Sequence, residues 1–430
     1  MPTNQDKQRI VSSTNFGMII EPKILLIDLD SHIIKQTKLA NKYYKYIGGR
    51  LLSWSLYRDY CDRDSLIFST TPLNSRAYKR HLNGRVILVG KSPLTGNIYS
   101  SNSGGPLGTW LAHKGYLAVI ILGSAKKPIY VDLELMEFTS AIPKKGKLIP
   151  LQAAFSGCSF AILKDFSQTN FPEGIFGRGG FGKAFIEKNI VGLGYGNLSE
   201  SKKDLPISVE TFLKQRHPSN TRPFQDNFYA FGVSKILIKN NWRELSAKDS
   251  MFTTILQQIE KSELDENPIG NLSYSRYGST GNVSINMDDI IKVKGPQNQT
   301  AEMIGPNLGI STLQDIYNIS YLCDKFGVDA ISFGAVLACA MDLFKDGKLT
   351  IEQTDGIELK FGDVDVIIRC LHKICNKDDK TEFTSRLGGG VKNFAELYGF
   401  PEYAMQTKGL SFTAYYVINN PFLALLFATS

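Results

Sequence analysis

Cysteine is scarce and unevenly placed: Cys61, Cys158, Cys323, Cys339, Cys370 and Cys375 are the only six, and none falls between 158 and 323. They sit among apolar neighbours, which excludes a disulfide framework and points to reduced core thiols of a cytoplasmic protein. Long hydrophobic runs are also missing. The stretches Leu117 to Leu122 and Phe422 to Phe427 are far too short to span a bilayer, and the opening MPTNQDKQRI lacks the apolar core of a signal peptide. The five histidines have no partners at metal-ligand spacing. No dense basic block accompanies the net charge of +8, so anionic ligands are favoured without implying nucleic acid. Internal repeats and low-complexity tracts are absent from the sequence.

A hydrophobic fraction of 43% over 430 residues is enough for compact folding and too much chain for one ordinary core. From residue 21 to 196 short apolar runs alternate with Gly, Pro and Asn: Ile24 to Ile27, Arg85 to Val89, Leu117 to Leu122, Ile129 to Leu133 and Phe160 to Leu163. This pattern predicts a β-rich domain over 1–200. The polar, proline-ended NLSESKKDLP at 197–206 predicts a boundary, and a mainly α-helical domain is expected over 207–430. Its clearest helix spans 312–326, with Ser311 as cap, Gln314 as capping-box partner and Gly327 as stop. A second helix starts after Asp329, and its Gly334, Ala335, Ala338 and Ala340 would let another backbone come close. The Asn-, Ser- and Gly-rich stretch 264–300 is expected to be irregular.

Several motifs can carry chemistry. GRVILVGKSPLTG at 84–96 ends like a phosphate-binding P-loop, but Arg85 stands where a glycine is needed and Pro93 favours a turn over a helix, so an ATPase is rejected. Ser101 to Gly105 and Gly177 to Gly180 are glycine loops whose N–H groups could hold a phosphate, with Arg85 and Arg178 beside them. Each loop taken alone reads first as an ordinary tight turn. Asp324 lies near a helix C-terminus, where the dipole disfavours a carboxylate, and either it or Asp329 could meet a heterocycle carrying NH groups. The plainer reading is that Asp329 caps the next helix while Asp324 is solvated. Cys370 and Cys375 follow the helical spacing of Ile367, Leu371 and Ile374 and read as core, not as metal ligands.

The order NGRVILVGKSPLTG, SNSGGPLG, HKGYLAVIILGSAKKPIYV, GRGGFGKAFIEKNIVGLG, GPNLGISTLQDIYNISYLCDKFGVDAISFGAVLACAMDLF and KGLSFTAYY resembles the aldehyde ferredoxin oxidoreductase family over most of 21–428. The resemblance implies an α+β fold with a two-sheet pterin-supporting base, then a mainly helical domain. It further implies a tungsten (or molybdenum) bis-pterin with magnesium, and oxidation of an aldehyde to a carboxylate with electrons passed to ferredoxin. By resemblance, Arg85, Asn102, Gly104 and Gly105 match the first pterin-phosphate loop, Ile175, Arg178 and Gly179 the second, and Asp324, Val328 and Asp329 a turn that holds the pterin rings. Catalytic residues are not assigned.

The departures set further expectations. Where the family has its cluster cysteines, this chain reads DENPIGNLSYSR, so no 4Fe-4S cluster is expected, because such clusters need thiolate ligands. Gln299 stands at the position of a family glutamate suspected of proton transfer, and an amide is no general base. The family's YDPRG reads YYVIN at 415–419, and the chain stops at FATS before the family's third domain. The expected function is therefore an oxidoreductase-type protein, impaired or dependent on a complementary subunit supplying the third domain. The alternative is a non-catalytic pterin-binding or structural and regulatory subunit.

Overall fold

The computed structural model describes residues 22–74, 85–104, 106–141, 148–149, 161–164, 172–196, 272–274, 281–287, 291–294, 298–310, 313–376, 381–414 and 421–429. The first sheet contains β1 (Lys23–Asp28), β2 (Ile33–Lys38), β3 (Leu66–Ser69), β4 (Val86–Lys91), β5 (Ile98–Ser103) and β6 (Tyr116–Leu122), in the order β2-β1-β6-β3-β4-β5. The second contains β7 (Ile129–Asp132), β8 (Glu137–Thr139), β9 (Leu148–Ile149), β10 (Ala161–Lys164), β11 (Pro172–Phe176) and β12 (Ile190–Gly194), in the order β11-β10-β9-β12-β7-β8. Each apolar run read from the sequence in this region overlaps a strand, Phe160 lying outside the described residues.

Side-chain alternation explains how the first sheet is buried on both faces. Ile67 and Val89 pack with Leu52 and Leu56 of helix α1 (Gly49–Tyr60). Leu66, Phe68, Val86 and Leu88 point the other way, into a core shared with Val131, Phe176, Ile190 and Leu193 of the second sheet. Two short helices, α2 (Pro106–Lys114) and α3 (Phe181–Glu187), add Trp110, Phe181 and Phe185 to that core. At its rim the fully buried Lys188 donates to the Gly123 carbonyl (3.0 Å) and pairs with the Asp64 carboxylate (2.7 Å), which satisfies an ammonium that would otherwise be costly to bury.

The stretch expected to be irregular is a correction. It contains an antiparallel three-stranded meander of β13 (Leu272–Tyr274), β14 (Gly281–Met287) and β15 (Ile291–Lys294), and helix α4 begins in it (Asn298–Ile304). Val283, Ile285 and Met287 do alternate with polar residues, and that period of two outweighs the turn-forming composition around it. Helices α5 (Leu313–Phe326), α6 (Ala330–Lys345), α7 (Val364–Cys375), α8 (Glu382–Leu387) and α9 (Val391–Tyr398) form one core with α4; a two-strand hairpin, β16 (Gln406–Thr407) and β17 (Leu410–Ser411), and α10 (Pro421–Thr429) follow. Ser311 and its capping role lie outside the described residues, as does the boundary at 197–206. On α7 the expected face Ile367, Cys370, Leu371 and Ile374 is buried, and burial pushes the Cys370 and Cys375 thiols up to about 12, the behaviour of core residues. Among the described residues no helix is long and apolar enough to cross a membrane.

Candidate functional site

Edge strand β5 organises the site. Asn102 pairs with Ile87 and shares its face, the one covered by α1, whereas Tyr99 pairs with Gly90 and faces the core between the sheets. Arg85, just before β4, donates to the Asn102 side-chain carbonyl. Its backbone carbonyl is anchored by Asn74 Nδ2 (2.7 Å) and Thr70 Oγ1 (3.1 Å), and burial lowers the pKa of its guanidinium. Gly104 follows β5 directly and is buried; Gly105 lies outside the described residues.

On the opposite face of β5 lies the second glycine loop. Gly179 has φ +91°, and a Cβ there would stand 2.5 Å from the Tyr99 ring, so both conformation and space require glycine. Ser92 fastens this loop to the β4–β5 turn: its hydroxyl donates to the Gly179 carbonyl (2.8 Å) and accepts from the N–H groups of Leu94 (3.2 Å) and Thr95 (3.1 Å). The segment that mimics a P-loop ending is thus a hairpin turn bracing the other loop. Ile175, on β11, pairs with Ile162 and leads the chain into the loop.

Arg178 reaches from this loop to the helical half. Its Nη2 donates to the Ser411 carbonyl and hydroxyl, both at 2.7 Å, and its Nε lies 3.6 Å from Asp329 Oδ2, an ion pair too long to be a hydrogen bond. Asp329 is 3% exposed and is the N-cap of α6. Its Oδ1 accepts from the N–H groups of Ile331 (3.0 Å) and Ser332 (3.2 Å), and its Oδ2 from the Ser332 hydroxyl. Burial raises its pKa, against the lowering effects of Arg178 and Ser332. The capping reading of Asp329 is therefore the one observed. Half-buried Asp324 lies in the last turn of α5, after which Gly327 (φ +73°) turns the chain and the Val328 N–H donates to the Cys323 carbonyl (2.9 Å).

The structure brings Arg85 and Asn102 together, brings Arg178 and Asp329 together, and sets these pairs on the two faces of one edge strand. Sequence reasoning missed Tyr99, Ser92, Ser332, Ser411 and Thr413. Ser332, three residues after a capping aspartate, carried a local signal; the others meet the site only through tertiary contacts. Among the described residues, Ser65 Oγ, Arg178 Nε, Gln299 Oε1 and Thr413 Oγ1 are buried without a hydrogen-bond partner, and Ser65 lies away from this site at the start of β3. Gln299 is one helical turn before Met303, which packs with Ile331, Ala335 and Ala414, the neighbour of Thr413. Unpaired buried polar groups are costly, and three near one junction suit a polar ligand. The exposed Asn102 edge, two arginines and a glycine loop are donors of the kind that can hold an oxyanion.

Comparison with known proteins fixes the family. The N-terminal-domain model of aldehyde ferredoxin oxidoreductase matches residues 24–149, and the model of its domains 2 and 3 matches 263–430, together more than half of the chain. The chain belongs to the aldehyde ferredoxin oxidoreductase family. The tungsten-containing aldehyde ferredoxin oxidoreductase of Pyrococcus furiosus is 26% identical over 381 residues, covering 82% of this chain and 61% of the relative. That of Thermococcus kodakarensis is 27% identical over 361 residues, covering 77% and 58%. The chain thus spans about three fifths of the length of these oxidoreductases. A WOR-like subunit of an aliphatic sulfonate oxidoreductase from P. furiosus is 25% identical over 458 residues, covering 91% of this chain and 70% of the relative. The active site complex BamBC of benzoyl coenzyme A reductase shares the fold, with a TM-score of 0.65 at 17% identity over 91% of this chain and 66% of that one.

Proposed function

We propose that this family member is a cytoplasmic protein that binds a tungsten or molybdenum bis-pterin, and that it oxidises aldehydes only together with a further polypeptide. The observation that carries the proposal is the pair of arginine clusters on the two faces of β5, with a buried guanidinium Nε left without an acceptor. When bound, the metal bis-pterin would supply the two-electron acceptor for conversion of an aldehyde and water to a carboxylate. Arg85, Asn102, Gly104 and Gly105 would hold one phosphate with its magnesium, and Ile175, Arg178 and Gly179 the other. Asp324 would accept from ring NH groups beside Val328, while Asp329, its acceptor positions already used, would fix the direction of Arg178.

Two features support dependence on a partner. Gln299 carries an amide where the family has a carboxylate, so proton removal has no base at that position. The absence of cysteine from 159 to 322 leaves no thiolates there for a 4Fe-4S cluster, so electrons bound for a ferredoxin need another exit. A partner polypeptide would have to supply both. The second reading, a pterin-binding subunit without catalysis, rests on the same two departures. Elemental analysis and pterin fluorescence after denaturation, on protein purified from its host with its partners, test the proposal. We expect tungsten or molybdenum with two pterins per metal, and a loss of about tenfold or more in pterin content in Arg178→Ala, the scale of removing a charge-assisted contact. Wild-type protein free of metal and pterin overturns it.

A further inference from the structure

The two halves keep separate cores. Among the described residues, the apolar side chains of the sheet cores run from 24 to 195 and those of the helical core from 301 to 404, with none in common. Turns join them instead. The β4–β5 turn is closed by the Ser92 N–H on the Asn97 carbonyl (2.8 Å) and the Gly96 N–H on the Ser92 carbonyl (2.9 Å), with the Ser92 hydroxyl accepting from Leu94 and Thr95 inside it. Leu94, at the tip, is half-buried and belongs to neither core. It lies between glycines of the two halves: a Cβ on Gly180 would stand 3.5 Å from Leu94 Cβ, and a Cβ on Gly390, the N-cap of α9, 2.7 Å from Leu94 Cδ1. Thr95 meets Gly409, in the turn between β16 and β17, where a Cβ would lie 3.4 Å from Thr95 Cα.

We infer that the β4–β5 turn is a latch, with Leu94 as its tongue, whose release opens the junction around Arg178 to a polar ligand. Arg178 Nε, Gln299 Oε1 and Thr413 Oγ1 are closed off from solvent, so a ligand reaches them only if the joint parts. The contacts at the joint are of a kind that can part. A leucine and a threonine resting on glycines bury little apolar area compared with either core, and such regions open at lower free energy than the whole fold. Ser92 makes the turn and the second glycine loop move together, because one hydroxyl holds both the turn N–H groups and the Gly179 carbonyl (2.8 Å). Withdrawal of the turn from Gly390 and Gly409 therefore carries Arg178 away from Ser411, breaks its two bonds there and leaves its guanidinium donors facing the opened space. Helices α4 to α9 share one core and stay together.

The latch rests on the geometry of the junction and not on which ligand fills it, so it is tested on the full chain without added cofactor, by amide hydrogen exchange read on peptides. Leu94→Ala should speed exchange about tenfold or more in the peptides spanning 177–185 and 405–414, together, while β6 and α6 stay within about twofold of wild type. A second variant works in the opposite direction. An ideal Cβ on Gly409 lies 3.7 Å from Thr95 Cβ, the spacing of a disulfide, so Thr95→Cys with Gly409→Cys should cross-link on oxidation, slow exchange in both peptides and recover on reduction. The latch is overturned by exchange in Leu94→Ala within about twofold of wild type in either peptide, by acceleration spread equally through β6 and α6, or by a cysteine pair that does not cross-link or whose cross-link leaves exchange unchanged. Opening in a protein that never carries pterin would sink only the proposed function, and pterin bound to a protein whose joint does not open only this inference.

Discussion

Asp28 and Asp329 both face an arginine, yet their surroundings move them in opposite directions. Arg63 donates to both Asp28 oxygens, at 2.9 and 3.1 Å, and these bonds lower the Asp28 pKa to about 2, outweighing the small effect of burial. A carboxyl with a depressed pKa in the folded state contributes stability above its unfolded value of 3.8 and loses it as pH falls towards about 2. Asp28→Asn should flatten the loss of stability across that window, measured by urea unfolding at a series of pH values, with Asp59 still titrating in the same range. At Asp329 desolvation exceeds the pull of Arg178, so its pKa is raised. Its contribution is largest below the unfolded value and is lost as pH rises through the folded one. Asp329 thus works against the fold near neutrality, and what it supplies there is orientation of Arg178 and of the α6 terminus.

Among the helices, the crossing of α4 and α6 shows how one missing methyl sets a contact. A Cβ on Gly334 would stand 2.2 Å from the Met303 carbonyl oxygen, and Asn307 bridges the two helices by donating to the Gly334 carbonyl (3.0 Å) and, more weakly, to that of Met303 (3.3 Å). The small-residue face read from the sequence is therefore an approach of backbones. Gly334→Ala should cost about 1–3 kcal/mol, because the clash is with backbone and only a shift of α4 relieves it. The denaturation midpoint should fall with the slope unchanged; an unaltered midpoint would mean the helices are farther apart than described. Tightening this crossing also fixes Gln299 and Met303 relative to the start of α6.

Across the whole molecule, Arg178 and Ser411 lie 233 residues apart in sequence and join the sheets to the helical half. A single cooperative unfolding transition is expected while that tie and the Asp329 pair persist. Arg178→Met removes both and leaves Asp329 without its cation. Calorimetry should then resolve two transitions, the helical part melting earlier; one transition at an unchanged temperature would show that the halves are held together elsewhere.

The sequence by itself determined five strands of the first two sheets (β1, β4, β6, β7 and β10), the start of α6 at Asp329, the turn at Gly327 and the buried face of α7. Each is written in local periodicity or in a residue with special backbone or capping chemistry. The order of motifs likewise sufficed to identify the family. Only the tertiary structure decided that Tyr99 backs Gly179, that Ser92 braces the second loop and that Ser411 receives Arg178. Those contacts join segments far apart in the chain, and a serine or tyrosine carries no local mark of the distant backbone it will meet.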